Sequence, residues 1–195
     1  MKNKQLQEER MKGYFIQAAK EILKSEGLKA ISVRNIAERA GYSYTTLYNY
    51  FRDVNDLVFE CVSDFQSDCA EFVNEKVDPR LTAYDAIKAK AIAYVQFFLE
   101  YPGIFELFYL TTSGDLGHKQ KTLDIIANSF SLICENDWKY VIDNNTSTEA
   151  IVNKVRKQIG YTVMGALLMY LNRQTPAQYI EFLHHVEEQV SWVLD

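Results

Sequence analysis

The chain has 195 residues, which suits one large domain or two small ones, and 48% of them are apolar, enough for a sizeable core. Only eight glycines and three prolines interrupt it, which favours helices over a turn-rich β fold. The net charge of −5 argues against a protein that binds polyanions over its whole surface.

The first predicted helix carries an apolar stripe at helical spacing, formed by Phe15, Ala18, Ala19, Ile22 and Leu23. Gly27 is placed to end this helix. Ser32 has the position of an N-cap for a short second helix, Val33–Ala40. Gly41 follows directly and allows a tight turn of the chain.

Ser43 is the predicted N-cap of a third helix, Tyr44–Phe51, and Asp53 caps a fourth, from Val54 to about Val77. Further helices are predicted at Leu81–Tyr101, Gly103–Thr112, Lys119–Ile142, Ser147–Arg173 and Pro176–Leu194. No stretch shows the sustained alternation of a strand. The sequence therefore predicts an all-α chain of about nine helices.

The first three helices have the order and the glycine turn of a helix-turn-helix. Leu47 and Phe51 are four residues apart and are expected to point inward. The outward face of the third helix then consists of Tyr44, Thr45, Tyr48 and Asn49. Hydroxyl and amide groups of this kind bind phosphate oxygens and base edges, which predicts a DNA-reading face. The alternative is a surface for contact with another protein.

Charge is distributed in agreement with a DNA-binding head. Residues 1–52 carry ten Lys or Arg and five Glu, a net of +5, and residues 53–195 carry eleven Lys or Arg and twenty-one Asp or Glu, a net of −10. This asymmetry indicates a nucleic-acid face at one end, although charge alone leaves chance as an alternative. The attraction would come from Lys2, Lys4, Arg10, Lys12, Arg34, Arg39 and Arg52.

The stretch AAKEILKSEGLKAISVRNIAERAGYSYTTLYNYFRDVNDLV resembles the N-terminal DNA-binding domain of the TetR family of bacterial repressors. The matching features are the Ala-Ala of the first helix, the stop at Gly27, IAERAG, S-x-x-T-L-Y-x-Y-F, and Leu57. The later helices match mainly in number and length, and YVQFFLEYPGIFELFYL is similar to an aromatic stretch in the family's ligand-binding domains. The resemblance implies a helix-turn-helix domain at 1–52 and a helical effector-binding and dimerisation domain at 53–195.

The resemblance also implies roles for single residues in DNA binding. Together with the outward Asn49 and the basic Arg52, the predicted DNA-binding set is Ser32, Arg34, Ser43, Tyr44, Thr45, Thr46, Tyr48, Asn49, Tyr50 and Arg52. Three positions depart from the family pattern. Val54 replaces a frequent Lys, Thr45 stands where a small residue is common, and Tyr42 stands where Val is frequent. Either Arg52 takes over the missing phosphate contact or that contact is absent.

The last two helices carry the expected dimer surface. Tyr179, Leu183, Val186, Val190 and Val193 are spaced 4, 3, 4 and 3 residues apart, which is the spacing of a helix–helix seam. A second stripe begins with Ile151, Val155 and Ile159. Two arrangements are compatible with these stripes: a four-helix bundle formed by two chains across a two-fold axis, or packing inside one chain. The resemblance favours the first, which is a homodimer.

The middle helices are rich in aromatic residues, at least half of which are expected to fill the core. The resemblance implies an effector pocket among them, and an aromatic lining suits an apolar or aromatic ligand. The predicted effector-binding set is Phe65, Phe72, Tyr94, Phe98, Phe105, Phe108, Tyr109, Trp138, Tyr161 and Met164.

The sequence thus predicts a DNA-binding transcriptional regulator, a homodimeric repressor released from a palindromic operator on double-stranded DNA by a small-molecule effector. The alternative is a DNA-bound protein-interaction factor without a ligand. No catalytic arrangement and no metal-ligand spacing is visible, so we expect no enzyme, no cofactor and no metal. The three cysteines form no CxxC, the N-terminus is too polar for a signal peptide, and the longest apolar run is too short to span a bilayer. These features predict a cytoplasmic protein without a membrane partner.

Overall fold

The computed structural model describes residues 2–111, 120–144, 147–174 and 176–194. Within these ranges the chain forms ten α-helices and no strand, which confirms the predicted all-α fold. The helices are α1 Lys2–Ser25, α2 Val33–Ala40, α3 Tyr44–Tyr48, α4 Val54–Lys76, α5 Ala83–Glu100, α6 Pro102–Phe105, α7 Gln120–Ile133, α8 Glu135–Asp143, α9 Glu149–Leu171 and α10 Tyr179–Leu194. Among them no helix has the length and apolarity needed to cross a membrane.

The helix predicted at Lys119–Ile142 is wrong as one element, because Cys134 separates α7 from α8 with φ −96° and ψ 12°. The helix predicted at Gly103–Thr112 is in fact α6 followed by a π-helical segment, Glu106–Leu110. Lys119 and Thr112 themselves lie outside the described residues. The end of the third helix also differs, since its regular part stops at Tyr48 and a turn leads to Phe51.

The chain divides into two compact units. Unit 1 contains Met1–Gln66 and Tyr101–Ile126, and unit 2 contains Ser67–Glu100 and Ala127–Asp195. Helix α4 supplies its first half to unit 1 and its second half to unit 2. These units differ from the expected domains, which divide the chain at residue 52 into a DNA-binding part and an effector-binding and dimerisation part. That functional division stays a prediction.

Unit 1 is built around α1. The apolar stripe predicted for this helix is buried, and α1 packs against α2 and α6. The same core includes Ile36, Leu47, Leu57 and Phe65, each shielded from solvent. Burial of apolar side chains contributes on the order of 1.5–3 kcal/mol each, so this core holds the two short helices of the head in place.

Unit 2 is built around α5, which packs against α8, α9 and α10. Its core contains Tyr94, Phe97, Phe98, Trp138, Val163, Leu167 and Phe182. All three cysteines are free and buried, Cys61 in unit 1 and Cys69 and Cys134 in unit 2, where they act as small core side chains.

Candidate nucleic-acid interface

The turn between α2 and α3 is fixed by hydrogen bonds at both ends of α2. Ser32 Oγ accepts from the Asn35 N–H at 3.1 Å, which confirms the predicted N-cap. At the other end Gly41 has φ 77° and ψ 24°, in the left-handed region that favours glycine. The Tyr42 N–H donates to the Ala37 carbonyl at 2.9 Å, which closes the helix end. Local chemistry therefore determines where α3 begins.

Helix α3 has only five residues, and so short a helix is marginal without tertiary support. Ser43 Oγ accepts from the Thr46 N–H at 3.2 Å, and the Ser43 and Thr46 hydroxyls are 2.9 Å apart. Leu47 and Phe51 are buried in unit 1, as their spacing predicted. The cap and these two anchors hold the helix against the core.

The opposite face of α3 is exposed. Tyr44 and Tyr48 show 63% and 51% of their surface to solvent, and Thr45 and Asn49 are exposed beside them. The predicted outward face is thus confirmed in orientation. It presents three hydroxyls and one amide without a charged side chain, and such groups both donate to phosphates and read base edges.

Four other residues of the predicted DNA-binding set make contacts within the head itself. Ser32 and Ser43 cap helices, and the Thr46 hydroxyl is engaged with Ser43. Tyr50 is half-buried, with its ring centre 6.3 Å from that of Phe15. The role of these four residues in DNA binding stays a prediction.

The sequence analysis missed an exposed aromatic pair beside α3. Tyr42 and Tyr14 are both exposed, and their ring centres lie 5.9 Å apart. Tyr42 also contacts Phe15, with ring centres 5.6 Å apart. The departure from the family's frequent Val at position 42 was the available signal, but its partner on α1 becomes visible only in the fold.

The basic residues of the head differ in their partners. Arg39 pairs with Glu26 at 2.5 Å and lies 4.0 Å from Glu21, so its charge is largely balanced within the head. Arg34 is exposed and has no acidic partner in the described chain. Of the two, Arg34 is free to meet a phosphate.

Arg52 lies in a small network at the start of α4. Its Nε donates to Asp53 Oδ2 at 3.1 Å, and Asp53 Oδ1 accepts from the Asp56 N–H at 2.8 Å, which confirms Asp53 as the cap of α4. These contacts, the Asp56 N–H first, lower the pKa of Asp53 below its usual value. The pairing orients Arg52 next to Val54, the position of the missing Lys.

The predicted effector-binding residues are distributed over both units, and their role in binding stays a prediction. Phe65, Phe105, Phe108 and Tyr109 belong to unit 1, and the other six belong to unit 2. Within unit 2, the ring centres of Tyr94 and Phe98 are 4.9 Å apart. Tyr161 is 70% exposed, so it lines no interior space of its own chain. Phe72 and Met164 are half-buried, and Trp138 is fully buried.

A groove of about 550 Å³ lies on unit 2, at the end of α4 and along α5 and α10. Its apolar wall includes Leu81, Ile92, Ile180 and Leu183. None of the residues predicted for effector binding lines it. Sequence reasoning missed this groove because its wall combines positions from three distant segments.

The predicted dimer residues divide by burial. Ile159, Val186 and Val190 are buried within unit 2, so they pack inside one chain. Val155, Leu183 and Val193 are half-buried, and Ile151 and Tyr179 are exposed. The large apolar side chains exposed on α9 and α10 are Ile151, Tyr161, Leu168, Met169, Tyr179, Ile180 and Trp192. A dimer surface on these helices would consist of this second set.

Among the described residues, no group of three or more His, Cys, Asp or Glu has the geometry of a metal site. His184 lies 3.5 Å from Glu188 on α10, an ordinary pair of residues four apart.

Comparisons with known proteins were made for sequence and for fold. Residues 15–61 match the profile of bacterial regulatory proteins of the tetR family. This segment runs from Phe15 of α1 through the helix-turn-helix to Cys61 of α4. No curated protein matches the sequence.

Among solved structures, 46 chains match the fold. A regulator from Mesorhizobium loti MAFF303099 described as TetR-family has a TM-score of 0.70 at 15% identity, covering 96% of both chains. The transcriptional regulator FadR from Bacillus subtilis, in complex with stearoyl-CoA, has a TM-score of 0.66 at 16% identity, covering 93% of this chain and 97% of its own. A tetR-family regulator from Streptomyces coelicolor has a TM-score of 0.65 at 18% identity, covering 95% and 89%.

The sequence profile covers the capped helix-turn-helix with its exposed tyrosine face, and the fold matches extend over nearly the whole chain. The chain thus carries the N-terminal domain of the tetR family of bacterial regulatory proteins and has the fold of TetR-family regulators, which supports a DNA-binding transcriptional regulator.

Proposed function

We propose that this regulator is a homodimeric repressor that binds a palindromic operator and is released from it by an apolar or aromatic small molecule. The observation that carries the proposal is the exposed face of α3, where Tyr44 and Tyr48 project from a helix that is capped and anchored on its other side. A surface of hydroxyls and an amide on a helix-turn-helix fits the major groove.

The phosphate contacts are assigned to the basic residues around α3. Among the described residues, Arg34 has no acidic partner and Arg52 is paired with the half-buried Asp53 next to it in sequence. Exposed ion pairs contribute about 1 kcal/mol or less, so a phosphate competes easily for Arg52. Release of counterions from the phosphates makes the binding strongly dependent on salt.

Dimerisation is assigned to α9 and α10. Seven large apolar side chains are exposed on these two helices, with Ile180 at 81% and Trp192 at 75% of their surface. Large apolar side chains at a protein–protein interface are exposed in the single chain and become buried in the dimer. Two copies related by a two-fold axis would place two copies of α3 on successive major grooves, which explains why the operator is expected to be a palindrome.

Effector binding is assigned to the aromatic interior of unit 2. Tyr94 makes edge contacts with Phe98 and Phe130, with ring centres 4.9 and 5.2 Å apart, and this environment suits an apolar ligand. FadR from Bacillus subtilis, one of the matching folds, was solved with stearoyl-CoA, which carries a long apolar chain. Helix α4 contributes to both units, so this helix is the proposed route by which a ligand in unit 2 acts on DNA binding.

A DNA-bound interaction factor without a small ligand is the alternative. It is favoured by the close packing of the aromatic rings in unit 2, where Tyr94, Phe97 and Phe98 are buried against one another. The two functions differ in one measurement, because a repressor of the proposed kind loses DNA affinity when its effector is added and an interaction factor does not. We propose no catalytic role and place the protein in the cytoplasm.

The test of DNA reading uses the double variant Tyr44→Phe/Tyr48→Phe, which keeps both rings and removes both hydroxyls. Affinity for a duplex selected from random DNA is measured by fluorescence anisotropy. Since a hydrogen bond contributes about 1 kcal/mol, the loss should be about tenfold or more. Tyr140→Phe is the matched control, because Tyr140 is an exposed tyrosine on α8. Equal affinity of the double variant and the control would contradict the proposal.

A further inference from the structure

Two buried nitrogen donors in unit 2 have no acceptor among the described residues. One is Nε1 of Trp138 on α8, a side chain with 0% of its surface exposed. The other is Nε of Arg156 on α9, a residue that is itself partly exposed. The two side chains are in contact, because the guanidinium carbon of Arg156 lies 5.5 Å from the centre of the Trp138 ring.

An unsatisfied buried donor costs about 1–3 kcal/mol, and more than nine in ten buried polar groups in folded proteins have a partner. Two such donors on side chains in contact therefore indicate that an acceptor belongs at this place. The acceptor has to satisfy an indole N–H and a guanidinium N–H together.

The charged groups around Trp138 and Arg156 indicate what kind of acceptor fits. Asp137 is the acidic residue next to Trp138, but its carboxylate accepts from Lys90 Nζ at 2.7 Å, and both side chains of this pair are mostly buried. Arg156 forms no ion pair in the described chain. Burial raises the pKa of the nearby Cys134 thiol, so it stays neutral and adds no charge. One positive charge, that of Arg156, is left without a counterion.

We propose that Trp138 and Arg156 bind the carboxylate of a small monoanionic ligand, in which one oxygen accepts from the indole N–H and the other from the guanidinium. A carboxylate has the single negative charge and the two acceptor oxygens that the site requires. A phosphate monoester carries nearly two negative charges at neutral pH, which one arginine does not balance.

This inference deepens the proposed effector binding and rests on it. The effector would have an apolar or aromatic body and one carboxylate. Binding would join α8 to α9, and α9 carries part of the apolar surface assigned to the dimer, including Tyr161 and Leu168. A ligand at this place would thus act on the helix that is proposed to hold the two copies together.

The chain has two tryptophans, so Trp192→Phe leaves Trp138 as the only one and makes its fluorescence a direct reporter. Because Trp192 belongs to the surface assigned to the dimer, gel filtration first checks that this variant has the same mass as the wild type, and calorimetry is done on the unaltered chain. The probes are benzoate and octanoate, each compared with its neutral amide, benzamide or octanamide. We expect the two carboxylates to change the Trp138 emission and to bind at least tenfold more tightly than the amides. Calorimetry on the full-length protein gives the affinities independently of fluorescence.

Arg156→Gln should remove the preference for carboxylates over amides, and Arg156→Lys, which keeps the charge, should retain part of it. Lys157→Gln is the control, because it removes one exposed positive charge from the same helix. Trp138→Phe should weaken carboxylate binding several-fold by calorimetry. The inference is overturned if none of the four probes binds, if carboxylates and amides bind equally, or if Arg156→Gln and Lys157→Gln behave alike.

DNA affinity of the same variants without probe separates this inference from the proposed function. If Arg156→Gln binds DNA as tightly as the wild type but has lost the preference for carboxylates, the result supports both the carboxylate site and the proposed DNA-binding function. Wild-type protein that binds carboxylates through Arg156 but binds no DNA would contradict the proposed function and leave the carboxylate site standing.

Discussion

A side-chain carbon at Gly103 would overlap the carbonyl oxygen of Leu23, because the start of α6 lies directly against the end of α1 in unit 1. The same carbon would also approach the backbone of Gly27 too closely. Both obstacles are backbone atoms, which cannot move aside as a flexible side chain does. This contact fixes α6 to the helix that carries the core of the head.

Gly103→Ala should therefore destabilise the protein by about 1–3 kcal/mol, the usual cost of overpacking. Gly160→Ala is the control, because a carbon at this helical position meets nothing within 4 Å. It should stabilise the protein by about 0.5–1 kcal/mol, the helix preference of Ala over Gly. Urea denaturation of both variants gives the two free energies of unfolding. Similar values would show that α6 and α1 are not in close contact.

Gly41→Ala should cost about 1–2 kcal/mol, since Gly41 has a left-handed backbone and a side-chain carbon raises the energy of that conformation. No steric obstacle lies within 4 Å, so the cost is purely conformational. Gly41→Asn should cost less, because Asn tolerates this region better than Ala. The melting temperatures of the two variants test this order, and a more stable Ala variant would contradict the turn geometry.

Asp53→Ala should destabilise the protein by about 1 kcal/mol through loss of the α4 cap. The lowered pKa of Asp53 also gives a dependence on pH. Its contribution to stability is present above the pKa of the unfolded chain, near 3.9, and is lost as the pH falls through the lower pKa of the folded protein. The difference in unfolding free energy between wild type and variant, measured from pH 7 to pH 2, should shrink only at the acid end.

Asp53→Asn keeps an oxygen at the cap and removes the charge that pairs with Arg52. If Arg52 holds the phosphate that the family's missing Lys would hold, freeing it should tighten DNA binding several-fold at low salt. Arg52→Gln should weaken binding and reduce the slope of affinity against salt by about one phosphate contact. Unchanged affinity and slope in both variants would remove Arg52 from the interface.

Burial raises the pKa of Cys61 to about 12 and raises the pKa of Cys69 and Cys134 as well. A buried neutral thiol reacts slowly with alkylating reagents. Native protein should therefore take up almost no iodoacetamide at pH 8 within minutes, and denatured protein should take up three equivalents. Mass spectrometry counts the adducts, and rapid labelling of native protein would contradict the described packing.

Tyr161→Lys combined with Leu168→Lys should convert the dimer to a monomer without unfolding it, because both side chains are exposed on α9. Tyr140→Lys, on the exposed face of α8, should leave the dimer intact. Light scattering after gel filtration gives the mass of each variant. A wild-type monomer, or a dimer in the double variant, would count against the surface assigned here.

The head was predictable because its signals are local. Ser32 and Ser43 cap the helices that immediately follow them, and Gly41 alone supplies the left-handed turn. The break at Cys134 was not predictable, since no glycine or proline marks it. Arg39 pairs with Glu26, thirteen residues away, and this pairing depends on how α2 packs against α1. The sequence alone therefore did not show that the charge of Arg39 is balanced by Glu26 rather than available to DNA.

The apolar positions predicted for the dimer show a second limit of prediction from sequence. Val186 and Val190 follow helical spacing as well as any seam residues, but they point into their own chain, while Ile180 and Trp192 are exposed. Periodicity reports that a face is apolar and not which partner covers it. The unsatisfied donors of Trp138 and Arg156 could not be predicted from the sequence, because they are recognised by the lack of a hydrogen-bond acceptor around them among the described residues.

The most direct test of the central claim is selection of bound sites from random double-stranded DNA by the full-length protein. A dimer that places two copies of the Tyr44–Tyr48 helix on successive grooves should enrich a palindrome whose half-sites lie about one helical turn apart. The Tyr44→Phe/Tyr48→Phe variant should enrich it weakly or not at all. Absence of any enriched sequence with the wild-type protein, or enrichment of a single unpaired site, would contradict the account.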